Sequence, residues 1–275
     1  MTRRVKLPSW QFRNAYCEVM ERLGLADDWW SDVKEYYGVS RREALAIGER
    51  APGRRPNLPG SRTCAPVSGK TWEELWLARP RDSEDAIASF WQEVGSWCVF
   101  RQLVRHRGRG FPEIAARLPK GGTLLEFGCG IAPVTWWLSR RGYGCTIVLR
   151  DVPSEALTFG AWRLGRIPRA KRTNTIDHAE AVPLPPCDVA VVLEVLEHVP
   201  SPLEAMGAIL GALKPRGYLF EDFYFHGGHG SPADLESAAQ ERPKVYDLIR
   251  AHCDLVSGQS PDAPEGGGRR CWRRR

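Results

Sequence analysis

The chain has 275 residues, enough for one large domain or two small ones with a sizeable core, and its 43% hydrophobic and 26% charged content is that of an ordinary water-soluble protein. No run approaches the ~18 uninterrupted apolar residues of a membrane span, and the basic start MTRRVKLPSW lacks the apolar stretch of a signal peptide, so no membrane partner and a cytoplasmic address are expected. The formal net charge of +6 resides in residues 1–120, with 21 Lys and Arg against 15 Asp and Glu, whereas residues 121–275 hold 18 of each; no dense basic cluster marks a nucleic-acid surface.

The first ~110 residues read as helices joined by loops. Trp10, Tyr16, Val19, Met20 and Leu23 fall near one side of a helix over 10–23. Ser40 with Glu43, and Thr71 with Glu74, have the spacing of a capping box, opening helices over 40–50 and in TWEELWLAR. Ile87, Trp91, Val94, Cys98 and Val104 predict one long helix over 83–106. Residues 51–70, rich in Pro, Gly, Ser and Arg, read as an exposed loop. Seven of the eleven tryptophans precede residue 100; they suit either the core of a helical subdomain or an aromatic wall around a substrate.

From 120 onward the pattern changes. TLLEFG, CTIVLR, RTNTI, CDVAVVL and GYLFEDFYF read as strands, with helices over 132–141, 154–164, 202–213 and 232–251 and two short strands near 253–257 and 269–274. Apolar runs alternating with amphipathic helices imply a buried, mostly parallel sheet and hence a doubly wound α/β fold. The division expected is a helical subdomain over 1–115 and an α/β domain over 116–275. Cys17, Cys64, Cys98, Cys129, Cys145, Cys187, Cys253 and Cys271 form no CxxC pair or metal-finger spacing, and most read as buried thiols.

In such a sheet the ligand lies at the carboxyl ends of the strands. The first turn there is Glu126-Phe127-Gly128-Cys129-Gly130-Ile131-Ala132-Pro133. A dinucleotide fingerprint needs G-x-G-x-x-G, and Pro133 stands at its last position without an N–H to offer a pyrophosphate. The Gly-Lys-Ser/Thr ending of a mononucleotide loop is also absent. Glu126, Gly128, Gly130 and Ala132 instead follow acidic-x-Gly-x-Gly-x-Gly/Ala, which resembles motif I of the class I S-adenosylmethionine-dependent methyltransferases and their Rossmann-like fold. The resemblance covers residues 121–220 and extends toward the end of the chain. It implies S-adenosylmethionine as cofactor, Asp151 on the ribose hydroxyls, Asp177 at the adenine amino group, and Glu126, Gly128, Gly130 and Glu194 among the cofactor residues. CDVAVVLEVLEHVPSPLEAMGAILGALKPRGYLF resembles the family's fourth strand, helix and fifth strand, including its LKPRG turn.

After the fourth strand, Glu194, Glu197 and His198 are spaced to share one side of a helical turn. This ExxEH segment resembles that of metal-dependent small-RNA 2′-O-methyltransferases and ubiquinone-biosynthesis O-methyltransferases. That implies a divalent metal held by Glu194, Glu197 and His198, with His226 and His229 of HGGHG as further ligands. The alternative is a metal-free loop in which Glu197 supports and His198 serves as the catalytic base. A small-molecule acceptor, methylated on O, N or C in specialised metabolism, is the leading expectation. An RNA methyltransferase, a cyclase or lyase using the same cofactor, and a silent cofactor-binding subunit are the alternatives. No motif names the acceptor.

Overall fold

Ser40 and Glu43 do form the reciprocal pair their spacing suggests. The Ser40 N–H and hydroxyl donate to the Glu43 carboxylate at 2.8 and 2.7 Å, and the Glu43 N–H returns to Ser40 Oγ at 3.3 Å. In the computed structural model, residues 29–49, 72–106, 109–167, 174–177, 183–223, 234–262 and 268–275 are described, and elements are numbered within them. The capping box opens α2 (Arg41–Glu49), preceded by α1 (Trp30–Tyr37), which stops at Gly38 in the left-handed region. The helix expected over 10–23, the loop over 51–70 and Thr71 lie outside the described residues, as does the Glu74 side chain.

After α3 (Trp72–Leu77), the helix expected over 83–106 is two helices, α4 (Glu84–Val94) and α5 (Ser96–His106). Gly95 separates them with φ +51, a backbone angle that ends a right-handed helix and that glycine adopts without a Cβ clash. Ser83 caps α4 by accepting the Ala86 N–H at 3.3 Å. The break re-aims α5, and this is what carries Gln102, Arg105 and His106 over the α/β layer. A short α6 (Pro112–Ala115) leads into the sheet.

Seven strands alternate with helices: β1 (Thr123–Phe127), α7 (Pro133–Arg140), β2 (Thr146–Asp151), α8 (Glu155–Gly165), β3 (Asn174–Asp177), β4 (Cys187–Val192), a 3₁₀ turn (Leu196–His198), α9 (Pro202–Ala212), β5 (Leu213–Glu221), α10 (Glu236–His252), β6 (Cys253–Ser257) and β7 (Arg270–Arg274). Their order across the sheet is β3-β2-β1-β4-β5-β7-β6. The first five are parallel, and β7 inserts antiparallel between β5 and β6. Strand order reverses between β1 and β4, so the crevice above their carboxyl ends is the switch point where a ligand enters.

Leu124, Leu125, Ile147, Val148, Leu149, Val189 and Val191 are essentially sealed from solvent, as expected of strands covered on both faces. α2 packs on α5, and α5 on α8. Aromatic contacts bind these layers: Tyr36 meets Phe159 edge-on at 5.3 Å, and the Tyr37 hydroxyl donates to Glu155 at 3.0 Å. Trp29, Trp76 and Trp97 are buried in one hydrophobic cluster with the strands, so these three tryptophans serve as core. Cys98, Cys129, Cys145, Cys187, Cys253 and Cys271 are buried free thiols. Among the described residues no helix is long and apolar enough to cross a membrane.

Candidate cofactor and acceptor site

The turn after β1 is held from three sides. Glu126 is buried at the end of β1, and its carboxylate accepts the Val134 and Thr135 N–H groups at 3.2 and 2.9 Å. These are first-turn donors of α7, whose N-cap, Ala132, has no side-chain acceptor to offer them. Burial pushes the Glu126 carboxyl up to about 7, against the opposing pull of those amides. The Gly128 and Cys129 N–H groups both donate to the Arg150 carbonyl, at 2.7 and 3.2 Å, tying the turn to β2. Gly128, Gly130 and Ala132 all have positive φ. For Ala132 that conformation costs about 1 kcal/mol, offset in part by its N–H donating to Cys129 O at 2.7 Å.

Asp151 closes β2 and fastens the turn: one carboxylate oxygen accepts the Gly130 N–H, the other the Val152 N–H at 2.7 Å. Asp177 ends β3 directly opposite Asp151 in the parallel register, so both acidic positions stand at neighbouring strand tips; the Asp177 side chain lies outside the described residues.

Three contacts at this turn have no precursor in the motif. Gln102 of α5 accepts the Ile131 N–H at 3.0 Å, and a Cβ on Gly130 would lie 2.2 Å from the Gln102 amide oxygen. Val195 presses on Gly128 in the same way, at 2.2 Å from such a Cβ. Gly160 of α8 sits against the turn's backbone, where a Cβ would come within 2.9 Å of the Ile131 carbonyl carbon. Their absence from sequence reasoning is physical: each joins segments 28 to 67 residues apart, and no local spacing encodes them.

The segment after β4 departs from expectation. Glu194 does not share a helical turn with Glu197 and His198. Its backbone is left-handed, with φ +58, and the 3₁₀ turn begins only at Leu196. The Glu194 N–H donates to Asp222 at the end of β5, which fixes this conformation, and its carboxylate turns to Arg105 at 2.6 Å and Arg109 at 3.8 Å. Glu197 is 3% exposed, its Oε2 makes no hydrogen bond, and burial, reinforced by Asp222, Asp234 and Glu194, pushes its carboxyl well above the carboxylate range. His198 is half-buried, with Nε2 3.9 Å from Glu197 Oε1. Asp222, which sequence reasoning missed, is pushed up to about 7 by burial. Its signal was an acid at a strand tip, the position Asp151 holds on β2, but it was hidden inside the apolar run LFEDFYF.

The residues of the turn fit the cofactor the motif implies: the Asp151 carboxylate is held at the strand tip by the Gly130 and Val152 amides, and the glycine turn is tied to β2 through the Arg150 carbonyl. Among the described residues no group of three His, Cys, Asp or Glu could hold an ion; Glu194 faces Arg105 and Arg109, and Glu197 is buried. His226 and His229 lie outside the described residues.

Residues 100–260 match the family described as methyltransferase domain. The ubiquinone biosynthesis O-methyltransferase of Vibrio cholerae serotype O1 is 29% identical over 138 residues, covering 50% of this chain and 56% of that protein. The enzyme of the same name from Caulobacter vibrioides is 31% identical over 109 residues, covering 38% and 42%. The chain thus spans about half the length of the curated relatives it matches. A solved S-adenosylmethionine-dependent methyltransferase from Methanosarcina mazei aligns over 60% of this chain and 98% of its own, with TM-score 0.44 and 15% identity.

Proposed function

Because the chain belongs to the methyltransferase-domain family, whose methyl donor is S-adenosylmethionine, we propose that it methylates a small-molecule acceptor at O, N or C. The carrying observation is the glycine turn fastened to Asp151 at the switch point of the sheet. The relatives named for ubiquinone biosynthesis support a small-molecule acceptor. The buried free thiols, which persist in a reducing compartment, support a cytoplasmic address.

When bound, the cofactor supplies an electrophilic methyl group on a sulfonium. The chain's part is to align a nucleophile with it and exclude water, which can remove up to ~7–11 kcal/mol of barrier. Asp151 and Asp177 hold the nucleoside, and Glu126 keeps the turn and α7 in register. His198 takes the proton of the acceptor, a role worth ~10²–10⁴ in rate. Glu194, held by Arg105, orders the rim through which the acceptor passes.

Two measurements test this. Calorimetry with S-adenosylhomocysteine is expected to show one site per chain and no response to nicotinamide dinucleotides. In an acceptor screen, turnover is expected to release S-adenosylhomocysteine; release of methylthioadenosine instead would move the chemistry to elimination or cyclisation.

A further inference from the structure

Between α5 and the start of α7 lies a cavity of about 30 Å³ that adjoins the glycine turn. Ile131 and Pro133, leaving the glycine turn, form its near wall; Trp136 and Trp137 face it from α7; His106, Arg109 and Arg163 supply its polar lining. By the same measure a single water needs about 10–15 Å³, so the space admits a group of carboxylate or phosphate size but no aromatic ring.

Arginines predominate around the cavity, with carboxylates set behind them: Asp32 beside Arg163, Glu113 beside Arg269, and Glu194 beside Arg105 and Arg109. The Arg163 guanidinium, with its side chain 2% exposed, stacks on Trp136 at 4.1 Å and lies 3.7 Å from Asp32. Arg269 lies over Phe111, another wall residue, at 5.2 Å and is close enough to Arg109 for the two charges to repel. Burial, followed by the charges of Arg109, Arg105, Arg269 and Arg163, pushes the His106 imidazole down to about 3. A ring so placed stays neutral and keeps one N–H to donate. Its Nδ1 is enclosed and makes no hydrogen bond among the described residues. An enclosed imidazole nitrogen without a partner among the described residues, flanked in the cavity wall by two guanidiniums, forms the surroundings of an anion, which completes the hydrogen bonding of the ring.

We propose that this cavity binds an anionic group of the acceptor, a carboxylate or phosphate, with Arg109 as its ion-pair partner and His106 donating from Nδ1. The acceptor is then an organic acid whose body extends toward Glu194, which Arg109 approaches to 3.8 Å from the other side. This deepens the methyltransferase reading and rests on it. Arg163, with Asp32 behind it, is a positioning residue that sets the positive potential of the cavity floor.

The test titrates inorganic phosphate into protein saturated with S-adenosylhomocysteine, following the tryptophan fluorescence that the cavity's own indoles report. Saturable binding is expected, weakened at least tenfold in Arg109→Met and largely retained in Arg109→Lys, with S-adenosylhomocysteine affinity within twofold of wild type in both. A panel of hydroxybenzoates and matched hydroxybenzamides then separates an acceptor's anionic end from a free regulatory phosphate. Acids are expected to be methylated at least tenfold more efficiently than amides, and phosphate to compete with them. The assignment is overturned by any of four results: no saturable phosphate response, an unchanged response in Arg109→Met, no turnover of any acid or equal turnover of acid and amide, or phosphate inhibition that does not compete with the acid. Competition between phosphate and S-adenosylhomocysteine overturns it too, since the cavity would then hold the cofactor's own amino-acid tail. Failure of wild-type protein to bind S-adenosylhomocysteine would instead remove the methyltransferase reading beneath it.

Discussion

Gly160 and Gly207 are both glycines inside helices, yet replacing each by alanine should move stability in opposite directions. Alanine in a helix interior gains up to about 1 kcal/mol over glycine from the unfolded chain's lost freedom. At Gly207, exposed on α9, a Cβ meets nothing within 4 Å, so the gain stands alone. At Gly160 the Cβ would sit 2.9 Å from the Ile131 carbonyl carbon and 3.1 Å from the Gly130 oxygen, both backbone atoms of the cofactor turn. Backbone cannot swing aside as a side-chain tip can, and overpacking of this kind costs ~1–3 kcal/mol. The net effect is about 0–2 kcal/mol of destabilisation, against a gain of up to ~1 kcal/mol at Gly207. With ~2–4 °C per kcal/mol for a chain of this size, Gly207→Ala should melt a few degrees higher than wild type and Gly160→Ala as much as several degrees lower. The displaced turn should also bind S-adenosylhomocysteine about tenfold more weakly, since sub-ångström misplacement is costly at a preorganised site. Scanning calorimetry and isothermal titration on the two variants decide the matter. If Gly160→Ala gained as much stability as Gly207→Ala and kept its affinity, the close contact of α8 with the turn would be refuted.

Asp151→Asn leaves an amide N–H facing one of the two backbone donors that the carboxylate now accepts; at ~1.5–3 kcal/mol per charge-assisted bond, S-adenosylhomocysteine affinity should fall about a hundredfold, measured by calorimetry. His198→Ala should lower turnover by ~10²–10⁴ while leaving that affinity unchanged; a loss confined to affinity would assign His198 to the cofactor instead. Glu126 and Asp222 titrate higher in the folded than in the unfolded chain, so their contribution to stability is complete below the unfolded carboxylate range, about 4, and lost as pH rises through about 7. Between pH 6 and pH 8 each should withdraw about 1 kcal/mol, so the melting temperature should fall over that interval, and Asp222→Asn should remove roughly half of the fall.

The strand and glycine turn were legible because their signals are local. β1, the turn and Glu126 lie within eleven residues, and a continuous apolar strand followed by glycines can be read without knowing what it packs against. The same holds for the Ser40–Glu43 box, whose partners are three residues apart. The helix over 83–106 failed at a single residue. The apolar spacing crosses Gly95 without interruption, and only the glycine itself signalled that the axis would turn.

That turn is also why the rest could not be read. By re-aiming α5, Gly95 brings Gln102 to the Ile131 amide and Arg105 to Glu194, across 29 and 89 residues. Glu194 had the right spacing for a shared ligand set with Glu197 and His198, but spacing predicts a face only if the backbone is helical throughout. A hydrogen bond to Asp222 and two arginines from another element instead hold it in the left-handed region, outside the 3₁₀ turn that carries Glu197 and His198. The Asp151 and Asp177 positions stand at consecutive strand tips, which a repeating α/β pattern fixes in order. Gln102 and Arg105 are delivered by a preceding helix, and their positions depend on where one glycine lets the chain bend.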